Sequence, residues 1–146
     1  FYRTLNQQAQ ALLEGEPDLI ANLANLSALL NQELADINWV GFYLLQGETL
    51  VLGPFQGKPA CVRIPVGRGV CGTAVAEGKT QLVDDVHQFT GHIACDGASN
   101  SEIVIPLRRG GEIIGVLDVD SPIFNRFDQE DRIGLEETVQ ILESML

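Results

Sequence analysis

The run SEIVIPLRRGGEIIGVLDVD, residues 101–120, decides the fold. Its two apolar, β-branched halves, Ser101 to Leu107 and Glu112 to Asp120, flank Arg108-Arg109-Gly110-Gly111. That composition predicts an antiparallel hairpin closed by a glycine-rich turn. A register pairing Leu107 with Ile113 places Glu102 directly across from Asp118, and the two-residue spacing of Asp118 and Asp120 puts both on one strand face. Three carboxylates then converge. Like charges directly opposite on a sheet are destabilising, so the cluster calls for a cation, a shared proton or free solvent. The plain reading is a solvated acidic face. The sharper one is an ammonium-binding site with one carboxyl kept protonated as an acid, and it draws weight from Asp118 and Asp120, which end an otherwise apolar strand.

Upstream of the hairpin, helices are expected from Thr4 to Gly15 and from Pro17 to Leu34. The second carries Leu19, Leu23, Leu26, Leu30 and Leu34 at helical spacing, with Pro17 suited to its first turn. Asp36 to Leu45 reads as a strand, turning at Gln46-Gly47-Glu48 into a neighbour from Thr49 to Leu52. Gly53 to Pro59 is loop-like, Cys61 to Pro65 a short strand, Gly69 to Glu77 a helix closed by Gly78, and Gln81 to Val83 another short strand. The stretch from His87 to Asn100 is too irregular for helix or strand. Downstream, Asp128 caps a final helix whose stripe is Leu135, Val139, Leu142 and Leu146. The layout is α+β, an antiparallel sheet of about six strands with helices packed on it, in a single domain spanning 1–146.

Composition narrows the function. The 146 residues are enough for one core and the 45% hydrophobic content is ordinary, with no apolar run near the ~18 residues of a membrane span. A formal charge of -11, with Arg108-Arg109 as the adjacent basic pair, repels phosphate backbones and argues against nucleic acid. The N-terminus lacks both an initiator methionine and a signal-peptide layout, so a few native residues are expected to be missing and secretion has no support. Three cysteines, an odd number, point to reduced thiols in a cytoplasmic setting rather than a disulfide framework.

The thiols are the second centre of chemistry. Cys61, Cys71 and Cys95 each stand among glycines, prolines and polar residues, and Cys95 lies in the irregular stretch, as a reactive loop thiol would. Gly67-Arg68-Gly69-Val70-Cys71-Gly72 matches G-x-G-x-x-G, but without alternating strands and helices around it a glycine turn that opens a helix is the better reading than a dinucleotide site. It places Cys71 in a first helical turn, where the macrodipole favours a thiolate. His87 and His92 lack metal-ligand spacing with the cysteines, so no metal is expected, and no G-x-S-x-G elbow supports a hydrolase. Trp39 and Tyr43 share one strand face, as core or as one wall of a pocket.

Taken together, Asn38 to Tyr43, Gly53 to Lys58, Gly67 to Gly72, Gly91 to Glu102 and Gly115 to Ser121 resemble the free methionine-(R)-sulfoxide reductases, over about Leu19 to Leu142. That family is built on a GAF domain, so the resemblance implies a GAF-like six-stranded antiparallel sheet. It implies that Cys95 is the nucleophile that attacks the sulfoxide and becomes a sulfenic acid, that Cys61 resolves it as a disulfide, and that Cys71 is a third thiol able to exchange or substitute. Which of Cys61 and Cys71 is the main resolving residue stays open. Glu102, Asp118 and Asp120 match the family's acidic pocket for the α-ammonium of free methionine-R-sulfoxide, with Asp118 as the acid, and Trp39 and Tyr43 match its aromatic wall. Thioredoxin is the implied reductant, no cofactor is needed, and a homodimer is left open. The alternative is a sensory GAF module that binds a small ligand without catalysis. Three carboxylates suit a cyclic nucleotide's phosphate poorly, and a receptor has no use for three thiols.

Overall fold

The hairpin forms, two residues away from the expected register. In the computed structural model, which describes residues 1–93 and 97–146, strands β5 (Ser101–Arg109) and β6 (Glu112–Ser121) pair antiparallel around Gly110 and Gly111 alone. Both glycines adopt positive φ, +59° and +84°, as a two-residue primed turn requires. Arg108 and Arg109 therefore belong to the strand, opposite Ile113 and Glu112, and a bulge between Leu107 and Arg108 advances the pairing to Leu107 with Gly115. Glu102 thus faces Asp120, and Asp118 faces Val104. The shift is one full side-chain period, so all three acids keep a common face.

Among the described residues the remaining elements are helices α1 (Tyr2–Leu13), α2 (Leu19–Glu33), α3 (Gly69–Glu77) and α4 (Gln129–Ser144) and strands β1 (Trp39–Gln46), β2 (Thr49–Gly57), β3 (Arg63–Pro65) and β4 (Gln81–Val83). A short 3-10 turn at Val86–Gln88 overlaps the start of the stretch expected to be irregular. The strands build one antiparallel sheet in the order β3-β2-β1-β6-β5-β4.

Where boundaries differ from expectation, the causes are local. Pro17 lies outside α2, because Asp18 is the cap and its carboxylate accepts the Ala21 N–H at 2.8 Å. β1 starts at Trp39 because Asp36 turns the chain with φ +57°. β2 continues through the segment read as a loop. Gly53 and Pro54 sit at a bulge, with Gly41 facing Phe55 and Tyr43 facing Leu52, so the proline falls where the ladder is already interrupted. α4 opens on the expected Asp128, which forms a capping box with Asp131, but it ends at Ser144 and leaves Leu146 exposed.

The sheet has two unlike faces. Val40 and Phe42 of β1, Ile103, Ile105 and Leu107 of β5, and Leu117 and Val119 of β6 point to one side, where they pack with Leu5, Leu23, Leu26, Leu30, Leu135, Val139 and Leu142 of α1, α2 and α4. The alternate residues, Trp39, Tyr43, Val104 and Val116, face α3 with Ile64, Val70, Cys71 and Ala74. No helix of the described residues is long and apolar enough to cross a membrane.

The chain path accounts for each glycine of the G-x-G-x-x-G match. Gly67 and Gly69 take φ +87° and +63° to turn from β3 into α3. Gly72 packs so close to β3 that a Cβ there would lie 2.4 Å from the Pro65 carbonyl oxygen. Gly72→Ala is therefore expected to destabilise the fold by about 1–3 kcal/mol, as overpacking does, and urea denaturation of the two proteins side by side measures it.

Candidate active site

Against the α3 face of the sheet lies a pocket floored by Glu102, Asp118 and Asp120 and walled by Trp39, Tyr43, Ile64, Cys71, His92, Ile93 and Ser99. Strand periodicity supplies the floor. Glu102 on β5 and Asp118 and Asp120 on β6 alternate with core residues, and β1 lies alongside with Trp39 opposite Asp120 and Gly41 opposite Asp118. The structure thus brings together the acids, both aromatics and Cys71 from the residues singled out in the sequence. Trp39 and Tyr43 are at once core and wall, each 2% exposed. Their rings stack at 5.9 Å, the Trp39 indole N–H donates to the Lys58 carbonyl at 3.1 Å, and the Tyr43 hydroxyl donates to the Cys61 carbonyl at 2.9 Å.

Cys61 and Cys71 differ in state. Cys95 lies outside the described residues; His92, Ile93 and Ser99, which bracket its segment, line the pocket. Cys61 is half-buried and disulfide-bonded, tied to the pocket wall through its carbonyl. Cys71 is a free thiol, 4% exposed, and belongs to the apolar cluster beneath α3. The expected macrodipole-favoured thiolate does not arise there. Burial first, then the charges of Asp118, Glu102 and Asp120, hold its thiol well above its ordinary value. A helix terminus contributes under about 2 kcal/mol even when favourable, too little against desolvation and three carboxyls.

The acids perturb one another in the same way. Burial, then Asp118 and Asp120, push the Glu102 carboxyl well up. Burial also raises Asp118, but hydrogen bonding with Glu102, Asp120 and Cys71 pulls it back. Both carboxyls are thus raised, and Glu102 is the one on which burial and neighbouring charge act in the same direction. Burial and then Asp118 raise the Tyr43 phenol, which stays a neutral donor. His92 is lowered, chiefly by partial burial. One carboxylate oxygen of Asp118, Oδ1, is buried without a hydrogen-bond partner among the described residues.

Two contributors were given no role in the sequence reading. Phe55, in the segment read as loop, stacks on Trp39 at 5.1 Å and backs the wall, filling the place a side chain at Gly41 would take. Asn38 donates to the Ser99 hydroxyl at 3.1 Å, fastening the far end of the loop to β1. Cys71, Glu102 and Asp118 also present a sulfur and two carboxylate oxygens within 4.8 Å of one another, a ligand set unrelated to the histidines. Period-2 spacing would have found the Cys71 neighbours only with the packing of α3 on the sheet in hand.

Comparison with known proteins places this architecture. A GAF domain family model matches residues 20–146. The free methionine-R-sulfoxide reductase of Escherichia coli is 63% identical over 146 residues, covering 100% of this chain and 88% of its own. The chain belongs to the free methionine-R-sulfoxide reductase family of GAF domains. Among solved structures, the reduced form of fRMsr of Staphylococcus aureus superposes with a TM-score of 0.97 at 60% identity, covering 99% of this chain and 94% of its own. The free methionine-R-sulfoxide reductase of Neisseria meningitidis, in complex with its substrate, gives 0.96 at 48%, covering 99% and 87%.

For this family member the acidic floor sets a pH signature. A carboxyl raised in the folded state adds stability that is complete below its ordinary value, about 4.5, and is lost as pH rises through the folded value. Glu102→Gln is therefore expected to raise the melting temperature at neutral pH, with the gain shrinking as pH falls below that value. Thermal melts across the range check this, and a variant less stable than its parent at neutral pH contradicts it.

Proposed function

We propose that this chain reduces free L-methionine-(R)-sulfoxide to methionine through thiol chemistry, as a single catalytic domain. The observation that carries the reading is the enclosed acidic floor beside an aromatic wall: a small molecule with an ammonium at one end and a methylated sulfur at the other matches both ends. The ammonium settles against Glu102 and Asp120, which favours their ionised forms and hands the proton to Asp118. Trp39 and Tyr43 enclose the methyl and sulfur. A methionine within a peptide has neither the charge nor the room for this floor.

Cys95 attacks the sulfoxide sulfur, forming a sulfur–sulfur bond, while Asp118 protonates the oxygen, which leaves as water when the sulfur–oxygen bond breaks. Water then adds to the Cys95 sulfur and the sulfur–sulfur bond breaks, so methionine leaves with two more electrons and the cysteine is left as a sulfenic acid. Cys61 then condenses with it to a disulfide, releasing water; the disulfide-bonded state of Cys61 supports that role. Cys71 is left as an exchanging thiol of last resort, since its burial suppresses the thiolate that exchange needs. Thioredoxin, in the cytoplasm, returns the pair to thiols, and a homodimer is the assembly proposed.

Methionine release from separate R and S sulfoxide samples with dithiothreitol tests the reading. Release from the R form, abolished in Cys95→Ser, is expected; release from neither form moves the chain to a ligand-binding GAF module. Glu102→Gln is expected to raise KM roughly tenfold or more, the loss of a charged partner to a bound ammonium, and an unchanged KM removes Glu102 from substrate binding.

A further inference from the structure

The Cys71 sulfur and the carboxylates of Glu102 and Asp118 come within 4.8 Å of one another inside the pocket, and each of these residues is less than a tenth exposed. The buried Oδ1 of Asp118 has no hydrogen-bond partner among the described residues, so one strong acceptor there stands ready for a cation. No lysine or arginine is among the described residues lining the pocket. Tetrahedral zinc, with bonds of about 2.3 Å to sulfur and 2.0–2.2 Å to oxygen, separates its ligands by roughly 3.3–3.8 Å, within a side-chain adjustment of what is present.

We propose that the reduced, substrate-free pocket binds one thiophilic divalent cation, Zn2+ or Cd2+, through Cys71, Glu102 and Asp118, and that this cation and the substrate exclude one another. On binding, the Cys71 thiol and the Glu102 carboxyl give their protons to solvent as their bonds to the metal form. No electrons are exchanged. The sulfur selects against Mg2+ and Ca2+, which prefer all-oxygen shells. Only the exclusion of substrate rests on the function proposed above; metal binding does not.

The test uses the Cys61→Ser/Cys95→Ser protein, in which Cys71 is the remaining thiol. Titration with Cd2+ is expected to produce a thiolate-to-cadmium charge-transfer absorption at one ion per chain. Further Cys71→Ser should abolish the band, and Glu102→Gln or Asp118→Asn should weaken binding by at least the roughly tenfold that even an outer-shell change costs a metal site. Free methionine-R-sulfoxide should displace the ion. No band, or a band indifferent to both carboxyl substitutions, overturns the site, and a band that substrate leaves untouched overturns the exclusion. Zinc-edge X-ray absorption on the same protein repeats the test without further substitution. A shell of one sulfur with oxygens supports the proposal, and a sulfur-free shell defeats it.

Discussion

Two carboxyls face each other across a strand pair, Glu102 against Asp120, with Asp118 beside Asp120 on the same strand, diagonal to Glu102, and Cys71 close to Glu102 and Asp118. Water would relieve that repulsion, but Glu102 and Asp118 are buried. The fold holds the acids in place with everything around them. The Gly110-Gly111 turn and the bulge at Leu107 set which residues oppose, β1 supplies the aromatic wall beside them, and α3 caps the space from above. β1 and α3 are held by their own apolar contacts, so the cluster persists although it opposes folding.

Burial decides the chemistry of each ionisable group at this site. Cys71 sits in the first turn of a helix, where the macrodipole favours a thiolate, and yet it stays protonated because desolvation and neighbouring negative charge outweigh that dipole. The same two causes raise the Glu102 carboxyl.

Much of the fold was legible in the sequence because its signals are local. Gly78 closes α3, Asp128 caps α4, and alternation in residues 101–120 marks the hairpin. The acids and aromatics were legible as a face because side chains alternate at a period of two, and a register error of two residues cannot move them off it. What could not be read depends on contacts distant in sequence. The bulge at Leu107 needs the whole ladder to reveal it, the strand through Pro54 is sustained by its partner β1, and the burial of Cys71 follows from how α3 seats on the sheet.

The two faces of the sheet divide labour residue by residue. Val40, Phe42, Ile103, Leu117 and Val119 knit the three-helix side together, while Trp39, Glu102, Asp118 and Asp120, their immediate neighbours in the chain, belong to the pocket. Selection for foldability and selection for ligand choice thus read alternate letters of the same strands. A lineage can rewrite one set while leaving the other intact, which makes this scaffold a ready substrate for diversification.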